Sequence, residues 1–517
     1  MKRAQLHIAN GIREFAATIP DTIAITDGSR SLTYSELDLR ANRLANHLLK
    51  AGLNSGDRVA ILSANRLEYP EIAAGISRAG MVIVPLDSRL GSVEIAKILD
   101  HSDTSGLIAE DSLAESVPDV DLELVLSLDG SQLGMTYETA VQGASAINPE
   151  IETTESDTFA IAYTSGTTGR PKGVMLSHRS RCLTFYCAAL EWNLGFGRRS
   201  VAVAPMSHGA GFAFAFAALH TGGTVSMLRS FEPERLLSLI QQDRAQSVFL
   251  VPTHAFRLQS LGEPRLHQFD LSSLDTLYFN AAPFPWALKE WTLDTFPNVG
   301  LHEIYGSTEA SIVTNLRPGD QRRKPGSVGV PWFMTEVRLI DGEEKPVAPG
   351  EVGELYSRSP FLMNGYWDDP EATVASTTPD GFFSAGDLAV IDDEGYLFIV
   401  DRKHDVIITG GLNIYPREVE EALHGHPDIL EAAVVGVPST EWGEQIAAAV
   451  VLAPDALLDE TALAVHCRQS IAEFKVPRLY ATVNSLPRNP SGKVLKPEIQ
   501  NLFRTGPGAI EASSCSN

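Results

Sequence analysis

The first hundred residues alternate between two hydrophobic periodicities, and this pattern predicts helices that are followed by buried strands. Residues 33–36 have the Thr-x-x-Glu spacing of a capping box, and apolar side chains then recur at helical spacing at Leu37, Ala41, Leu44 and Leu48. Continuous apolar stretches at 58–62 and 81–85 predict two strands on either side of a helix. This order predicts a parallel pair joined by a crossover. We expect similar alternation to continue to about Val400.

Beyond Asp401 the apolar stretches become shorter and predict a smaller α+β unit. Pro416 suits the first turn of a helix that runs to Leu423. Two strands should follow at 432–437 and 447–452. We expect a helix near Leu463 and a last strand near Tyr480 after them. The fold class is therefore expected to be α/β, with a large N-terminal domain at 1–401 and a small C-terminal domain at 402–517.

Composition narrows the range of partners. The chain has 517 residues and a formal charge of -24, which disfavours nucleic acid or an anionic membrane as its main partner. Its 4 cysteines show no metal-ligand spacing, so we expect neither a disulfide framework nor a zinc site. We recognise no signal peptide and no apolar run of the roughly 18 residues that a membrane helix needs. The sequence therefore predicts a cytoplasmic protein without a transmembrane segment.

A loop rich in hydroxyls and glycines carries the clearest chemistry. It lies between the apolar stretches 160–163 and 174–176 and contains Thr164, Ser165, Gly166, Thr167, Thr168, Gly169 and Lys172. Glycines let the backbone approach a ligand closely, hydroxyls can donate to phosphate oxygens, and the lysine supplies charge. The loop predicts polyphosphate binding, although a flexible surface turn is the alternative. It does not satisfy GxxxxGK[ST], which disfavours a P-loop kinase or GTPase.

This loop resembles the signature loop of the adenylate-forming superfamily, which includes acyl-CoA synthetases, peptide-synthetase adenylation domains and firefly-type luciferases. Further segments match that family in order, at 280–283, 305–309, 326–331, 350–354, 364–367, 385–387, 401–405 and 487–495. Asn280 and Ala281 depart from the family's usual glycines. The resemblance extends from Leu32 to Lys496, and it implies a large adenylate-forming domain with parallel and mixed sheets and a mobile C-terminal lid.

The resemblance also implies an ATP site and its catalytic residues. The loop at 164–172 would cradle phosphates, Glu309 would hold Mg²⁺, and Lys493 would reach the site during adenylation. Mg²⁺ prefers carboxylate oxygen and bridges phosphates, which suits Glu309. The remaining nucleotide contacts would come from Ala281, Ala282, Pro283, Tyr305, Gly306, Ser307, Thr308, Asp387 and Arg402. The catalytic set implied is Thr164, Lys172, His208, Glu309 and Lys493. Taken alone, outside the order of these motifs, Asp387 would more often be a turn residue, Arg402 a surface ion-pair partner and Lys493 a solvated lysine.

The same resemblance implies a second step in which the small domain rotates about a hinge at His404. Gly410, Gly411 and Leu412 would then face the incoming thiol, since glycines let a pantetheine arm pass. Coenzyme A contacts would come from Trp442, Phe474 and Lys475. Interdomain packing of Trp442 and a surface role for Lys475 stay open, as does a solvated linker role for His404.

The acyl pocket implied by the resemblance is bordered by His208, Gly209, Gly211, Phe212, Ala213, Asn280 and Ala281. A buried structural histidine is the alternative for His208. Residues 209–219 include no acidic side chain, which disfavours an amino-acid substrate because its buried ammonium would lack a partner. We therefore expect a hydrophobic acid, either fatty, aryl or bulky alicyclic.

The resemblance therefore implies an ATP-dependent carboxylic acid:CoA ligase that uses ATP, Mg²⁺ and coenzyme A. Two alternatives remain: a stand-alone adenylating enzyme that loads a carrier-protein thiol, and a non-catalytic nucleotide-binding protein. A homodimer also stays open.

Overall fold

The computed structural model describes residues 5–165, 171–488 and 494–505, with the backbone alone at Ser165 and Thr505. The helices in these ranges are α1 (Asn10–Thr18), α2 (Tyr34–Lys50), α3 (Glu68–Arg78), α4 (Ser92–His101), α5 (Tyr137–Gln142), α6 (His178–Trp192), α7 (Gly209–His220), α8 (Pro233–Asp243), α9 (Pro252–Gln259), α10 (Glu263–Leu266), α11 (Trp286–Thr295), α12 (Pro370–Ser376), α13 (Pro416–His424), α14 (Glu460–Cys467) and α15 (Lys496–Thr505).

The strands in the same ranges are β1 (Ile23–Thr26), β2 (Ser31–Thr33), β3 (Arg58–Leu62), β4 (Val82–Leu86), β5 (Thr104–Ala109), β6 (Leu124–Ser127), β7 (Met135–Thr136), β8 (Thr158–Ser165), β9 (Pro171–Ser177), β10 (Arg199–Ala202), β11 (Thr224–Met227), β12 (Ser247–Leu250), β13 (Thr276–Phe279), β14 (Gly300–Ser307), β15 (Ser311–Leu316), β16 (Val330–Pro331), β17 (Glu336–Ile340), β18 (Gly353–Arg358), β19 (Gly365–Tyr366), β20 (Phe383–Ile391), β21 (Leu397–Arg402), β22 (Ile407–Thr409), β23 (Leu412–Ile414), β24 (Ile429–Ser439), β25 (Gly443–Leu452) and β26 (Leu479–Thr482).

Helix α2 forms as its sequence predicts. The Thr33 hydroxyl accepts a hydrogen bond from the Glu36 backbone N–H at 3.2 Å, and the Glu36 carboxylate accepts one from the Thr33 N–H at 2.8 Å. This capping box satisfies two N–H groups that the first turn leaves without helical partners. The apolar stripe at Leu37, Ala41, Leu44 and Leu48 is fully buried, so it anchors the helix in the largest core cluster.

Two large sheets form the bulk of the chain. One has the strand order β19-β9-β8-β4-β3-β5-β6-β7, and the other β16-β15-β14-β13-β12-β10-β11-β1-β2. Strands β3 and β4 pair in parallel, with Arg58 opposite Val82, which confirms the predicted crossover. The parallel strands β4 and β8, and likewise β13 and β14, place their carboxyl ends at one edge of each sheet. In sheets of this kind, that edge is where ligands bind.

The prediction that helices and strands alternate to about Val400 is wrong for the later part of this range. Strand β15 turns back antiparallel on β14, and β17-β18-β20-β21 form a separate antiparallel sheet. Between β14 and β21 the described chain contains a single α-helix, α12. Short turns at 341–342 and 393–395 allow neighbouring strands to pair as hairpins, which need no helical crossover.

The last hundred residues form the expected small α+β unit. Its sheet has the order β23-β22-β25-β24, and β26 adds in parallel to β25. Apolar clusters cover both faces of this sheet, one of them formed with α13 and α14 and the other with α15. The predicted boundary at 401/402 stays a prediction. In the part of the chain that the structure describes, every helix is too short or too polar to cross a membrane.

Candidate active site

A cavity of about 580 Å³ lies where the carboxyl edges of the two large sheets meet the antiparallel sheet. This volume is typical of a pocket for a small-molecule ligand. Several residues singled out from the sequence line it: Thr164, Lys172, Ala281, Gly306, Ser307, Thr308, Glu309, Arg402 and His404. Segments more than 200 residues apart in the chain therefore converge on one site.

The base of the phosphate loop is a β-hairpin. Strands β8 and β9 pair antiparallel, with Thr164 directly opposite Lys172. The Lys172 ammonium nitrogen lies 4.8 Å from the centroid of the Tyr366 ring, a distance at which a cation is attracted to the ring face. The predicted contacts from Gly166, Thr167, Thr168 and Gly169 lie outside the described residues, as does the side chain of Ser165.

Glu309 is held by both its side chain and its backbone. The Tyr366 hydroxyl donates a hydrogen bond to Glu309 Oε1 at 3.2 Å, and the Met363 backbone N–H donates to the Glu309 carbonyl at 2.8 Å. Burial and the Glu309 carboxylate raise the pKa of Tyr366, so this hydroxyl stays protonated and remains a donor at neutral pH. The carboxylate is thereby fixed in the cavity wall.

The site fits one magnesium ion better than a metal held by protein ligands alone. The described residues contain no group of three or more His, Cys, Asp or Glu side chains suited to a metal. Mg²⁺ retains several waters and commonly takes one or two carboxylates together with substrate phosphate oxygens. The Glu309 carboxylate, which lines the same cavity as Lys172, meets this requirement.

Three of the predicted nucleotide-contact residues, Tyr305, Asp387 and Arg402, are brought together. Asp387 on β20 is buried and lies opposite Arg402 on β21, whose Nε is 3.3 Å from Asp387 Oδ1. The Tyr305 hydroxyl donates to the other oxygen, Asp387 Oδ2. Burial and the Asp387 charge raise the pKa of Tyr305, which keeps this donor protonated. Arg402 lines the cavity, whereas Asp387 is buried beside it and holds Arg402 and Tyr305 in place.

Ala281 keeps a backbone conformation that glycine usually supplies. Its φ angle is 79°, in the left-handed region, and its N–H donates to the Asn280 side-chain oxygen at 2.6 Å. A non-glycine residue with such a φ carries backbone strain, which commonly occurs at functional sites. Ala281 lines the cavity, and Ala282 and Pro283 follow it directly.

His208 caps the first turn of α7 and is tied to the neighbouring sheet. Its Nε2 lies 2.7 Å from Asp87 Oδ2 and 3.3 Å from Arg89 Nη2. Burial alone would raise the pKa of Asp87, but hydrogen bonds from His208 and Arg89 lower it to about 2, so the carboxylate stays charged. A Cβ at Gly209 would lie 3.8 Å from Thr308 Oγ1, which places the start of α7 beside the cavity.

The other predicted acyl-pocket residues serve packing in this structure. A Cβ at Gly211 would come within 2.1 Å of the Pro205 carbonyl oxygen, so the close approach of α7 to the preceding loop requires glycine. Phe212 stacks on Phe216 with 4.3 Å between ring centroids, and Ala213 is buried. Their contact with an acid substrate stays a prediction.

The predicted coenzyme A residues form two groups in the small domain. The Gly410 N–H donates to the Trp442 carbonyl at 2.9 Å, and the Arg478 guanidinium stacks 4.5 Å from the Trp442 ring. Lys475 is paired with both carboxylate oxygens of Glu418, at 2.6 and 2.7 Å, and Phe474 is 46% exposed. Within the described ranges, no residue after His404 lines the cavity, and Lys493 lies outside those ranges.

At the predicted hinge, His404 Nε2 lies 3.4 Å from Asp405 Oδ1.

Three residues that hold the site were missed by the sequence reasoning. Tyr366 lies inside a segment that matched the family but received no role. Asp87 directly follows a buried parallel strand, which is a position where functional side chains are common. Arg181 donates to the Thr308 carbonyl from the first turn of α6, and no sequence pattern marks it.

Comparison with known proteins agrees with this geometry. The sequence model of the AMP-binding enzyme family matches residues 12–367, and that of the AMP-binding enzyme C-terminal domain matches residues 418–493. The chain belongs to the AMP-binding enzyme family. This membership confirms the resemblance to the adenylate-forming superfamily, the fold class, and the prediction of an AMP-forming acid–thiol ligase.

Individual members of the AMP-binding enzyme family are similar over nearly their whole length. A feruloyl-CoA synthase of Amycolatopsis is 39% identical over 94% of this chain and 96% of its own. A fatty acid–[acyl-carrier-protein] ligase of Streptomyces coeruleorubidus is 35% identical over 94% of each chain. The structure of an amide bond synthetase from Marinactinospora thermotolerans superimposes with a TM-score of 0.86 at 31% identity, covering 96% of this chain and 100% of the other.

Proposed function

We propose that this protein joins a hydrophobic carboxylic acid to coenzyme A at the expense of ATP. In the first step a carboxylate oxygen attacks the α-phosphorus of ATP, which forms an acyl-adenylate and releases pyrophosphate. In the second step the coenzyme A thiol attacks the acyl carbon, AMP leaves, and the thiol proton is released. Both steps balance without any redox partner.

The observation that carries this proposal is the convergence of Thr164, Lys172, Thr308, Glu309 and Arg402 on one cavity. The two anionic reactants of the first step repel each other, so a protein helps by positioning them and supplying opposite charge. Lys172 would meet the phosphates, Thr308 the α-phosphate and Arg402 the ribose side. Because Tyr366 and the Met363 N–H restrain Glu309, its carboxylate can orient a ligand without reorganising.

Magnesium, when bound at Glu309, would neutralise phosphate charge and favour the departure of pyrophosphate. Lys493 is proposed to contribute charge near the α-phosphate during the first step. Domain closure would be required, since Lys493 belongs to the C-terminal segment.

The acid is proposed to be hydrophobic and, as the first class to test, aromatic. Helix α7 begins beside Thr308 and contains no acidic residue from Gly209 to His220, so an ammonium-bearing acid would find no carboxylate there. The similarity to a feruloyl-CoA synthase supports aryl acids over long-chain acids as the starting panel. His208, fixed by Asp87, is proposed to border this pocket.

Coenzyme A is the proposed acceptor. Gly411 has open space where a side chain would lie, and beside the neighbouring Gly410 are the Trp442 ring and the Arg478 cation, which together suit a pantetheine arm and a nucleotide. A carrier-protein thiol is the second candidate, because one close relative is a ligase for an acyl-carrier protein. An amine acceptor is a further outcome of the test, given the similar amide bond synthetase.

The proposal is tested by pyrophosphate release from a panel of aryl, fatty and alicyclic acids, with and without coenzyme A. We expect acid-dependent pyrophosphate release, and acyl-CoA with AMP only when coenzyme A is present. Glu309→Gln should abolish release, whereas Glu336→Gln, an exposed carboxylate paired with Arg358, should not change it. Acyl-adenylate that reacts with a phosphopantetheinylated carrier protein but not with coenzyme A would select the second candidate. Absence of turnover with every acid would refute ligase activity.

A further inference from the structure

A buried arginine lies directly behind the magnesium side of the proposed active site. Arg181 is on α6 and is only 4% exposed. Its Nη2 donates to the Thr308 carbonyl at 3.0 Å, and no carboxylate in the described part of the chain forms an ion pair with it. An unpaired charge inside a protein is costly, so a guanidinium at this place calls for an explanation beyond folding.

The guanidinium is a cation under working conditions. Burial lowers the pKa of Arg181 to about 10, and the negative charge of Glu309 opposes this shift. At neutral pH the side chain therefore remains protonated. Glu309 is the acidic group in the described residues whose charge raises the pKa of Arg181 against the effect of burial.

Helix α6 supports the turn that contains Thr308 and Glu309 through two side chains. Arg181 binds the Thr308 carbonyl, and one turn later the Thr184 hydroxyl lies 3.2 Å from the Ser311 hydroxyl. Tyr366 and the Met363 N–H hold the opposite side of the same turn. Thr308 and Glu309 line the cavity, whereas Arg181 does not, so Arg181 acts through the turn rather than by touching a ligand.

We propose that Arg181 is a positioning residue for adenylation, which fixes the Thr308–Glu309 turn and places a permanent positive charge behind it. The charge would stabilise the negative charge that develops on the α-phosphate oxygens and the departing pyrophosphate. A preorganised charge in a site shielded from water is effective for this purpose because it needs no reorganisation during the reaction. This inference rests on the proposed adenylation of a carboxylic acid.

The charge and the bracing contact can be separated by three substitutions. Arg181→Met keeps much of the length but removes the charge, Arg181→Lys keeps the charge, and Thr184→Val removes the neighbouring polar link on the same helix. The measurements are kcat and KM for ATP in acid-dependent pyrophosphate release, together with the unfolding midpoint of each variant.

We expect Arg181→Met to lower kcat roughly tenfold to hundredfold, less than the loss of a donor that touches the reacting atoms. Its KM for ATP should be unchanged or lower, because removing a nearby cation does not weaken the binding of Mg²⁺ at Glu309. Arg181→Lys should recover most of kcat. Thr184→Val keeps both the charge and the contact of Arg181, so it should lower kcat much less than Arg181→Met does.

Several results would overturn the inference. One is a kcat for Arg181→Met close to that of the unsubstituted enzyme, and another is an equal loss in the Met and Lys variants at comparable stability. A loss of kcat in Thr184→Val as large as that in Arg181→Met would show that support of the turn accounts for the effect without the charge. If Arg181→Met does not fold, Arg181→Lys decides, since low kcat in that folded variant refutes a role for the charge. Absence of turnover in the unsubstituted protein refutes the proposed function itself, and the inference falls with it.

Discussion

Lowering the pH from 7 to 5 should cost this protein about 2 kcal/mol of folding free energy through His220 alone. This histidine ends α7, and its Nδ1 lies 3.0 Å from the Ile8 carbonyl oxygen. Phe185 and Tyr186 pack against its ring, and its Nε2 has no hydrogen-bond partner in the described residues. Burial lowers the pKa of His220 from 6.5 to about 4.

The direction of the effect follows from which state binds the proton. The unfolded chain protonates this histidine near pH 6.5, whereas the folded protein resists protonation until about pH 4. Stability from the neutral histidine is therefore complete above pH 6.5 and is lost as the pH falls towards 4. Between the unfolded-state pKa of 6.5 and pH 5 lie about 1.5 pH units, over which only the unfolded chain binds the proton. Each unit is worth about 1.4 kcal/mol, which gives a loss of about 2 kcal/mol in folding free energy.

The assay compares urea unfolding of the unsubstituted protein and His220→Asn at pH 7 and pH 5. The asparagine amide can take over donation to Ile8, so the variant should lose about 1 to 2 kcal/mol at pH 7 through the smaller side chain. At pH 5 this difference should disappear, because asparagine has no proton to exclude. His267→Asn is the matched control, since that histidine is exposed. An equal pH dependence for His220→Asn and the unsubstituted protein would refute the reasoning.

Two further predictions concern the cavity. Ala281→Gly should stabilise the protein by about 1 kcal/mol, because glycine adopts the φ of 79° without strain. Urea unfolding would measure this gain. A loss of stability would contradict the inference that the Ala281 backbone is strained. Tyr366→Phe should lower kcat for pyrophosphate release about tenfold, because Glu309 loses the hydrogen bond of a charged acceptor, which is worth about 1.5 to 3 kcal/mol. An unchanged kcat in that variant would show that the hydroxyl does not orient Glu309.

The local elements were predictable because their signals lie within a few residues of one another. The capping box and apolar stripe of α2 depend on spacings of three and four residues, and the structure has both. Pro416 likewise begins α13. The prediction that helices and strands alternate to about Val400 was wrong in its later part because a short apolar strand has the same sequence pattern in a hairpin and in a crossover. Pairing with a distant or an adjacent strand is decided only when the sheet forms.

The sequence alone also determined which residue types reach the site, since the ordered motifs around Thr164, Tyr305, Asp387 and Arg402 are local features of the chain. Only the tertiary structure joined them. Tyr305 and Asp387 are 82 residues apart and share a hydrogen bond, and Arg181 reaches the Thr308 carbonyl across 127 residues. A lone arginine in a helix has no spacing signal, because its partner is set by how α6 packs and not by its neighbours in the chain. Burial then decides its significance, since the same guanidinium would be an ordinary solvated charge at the surface.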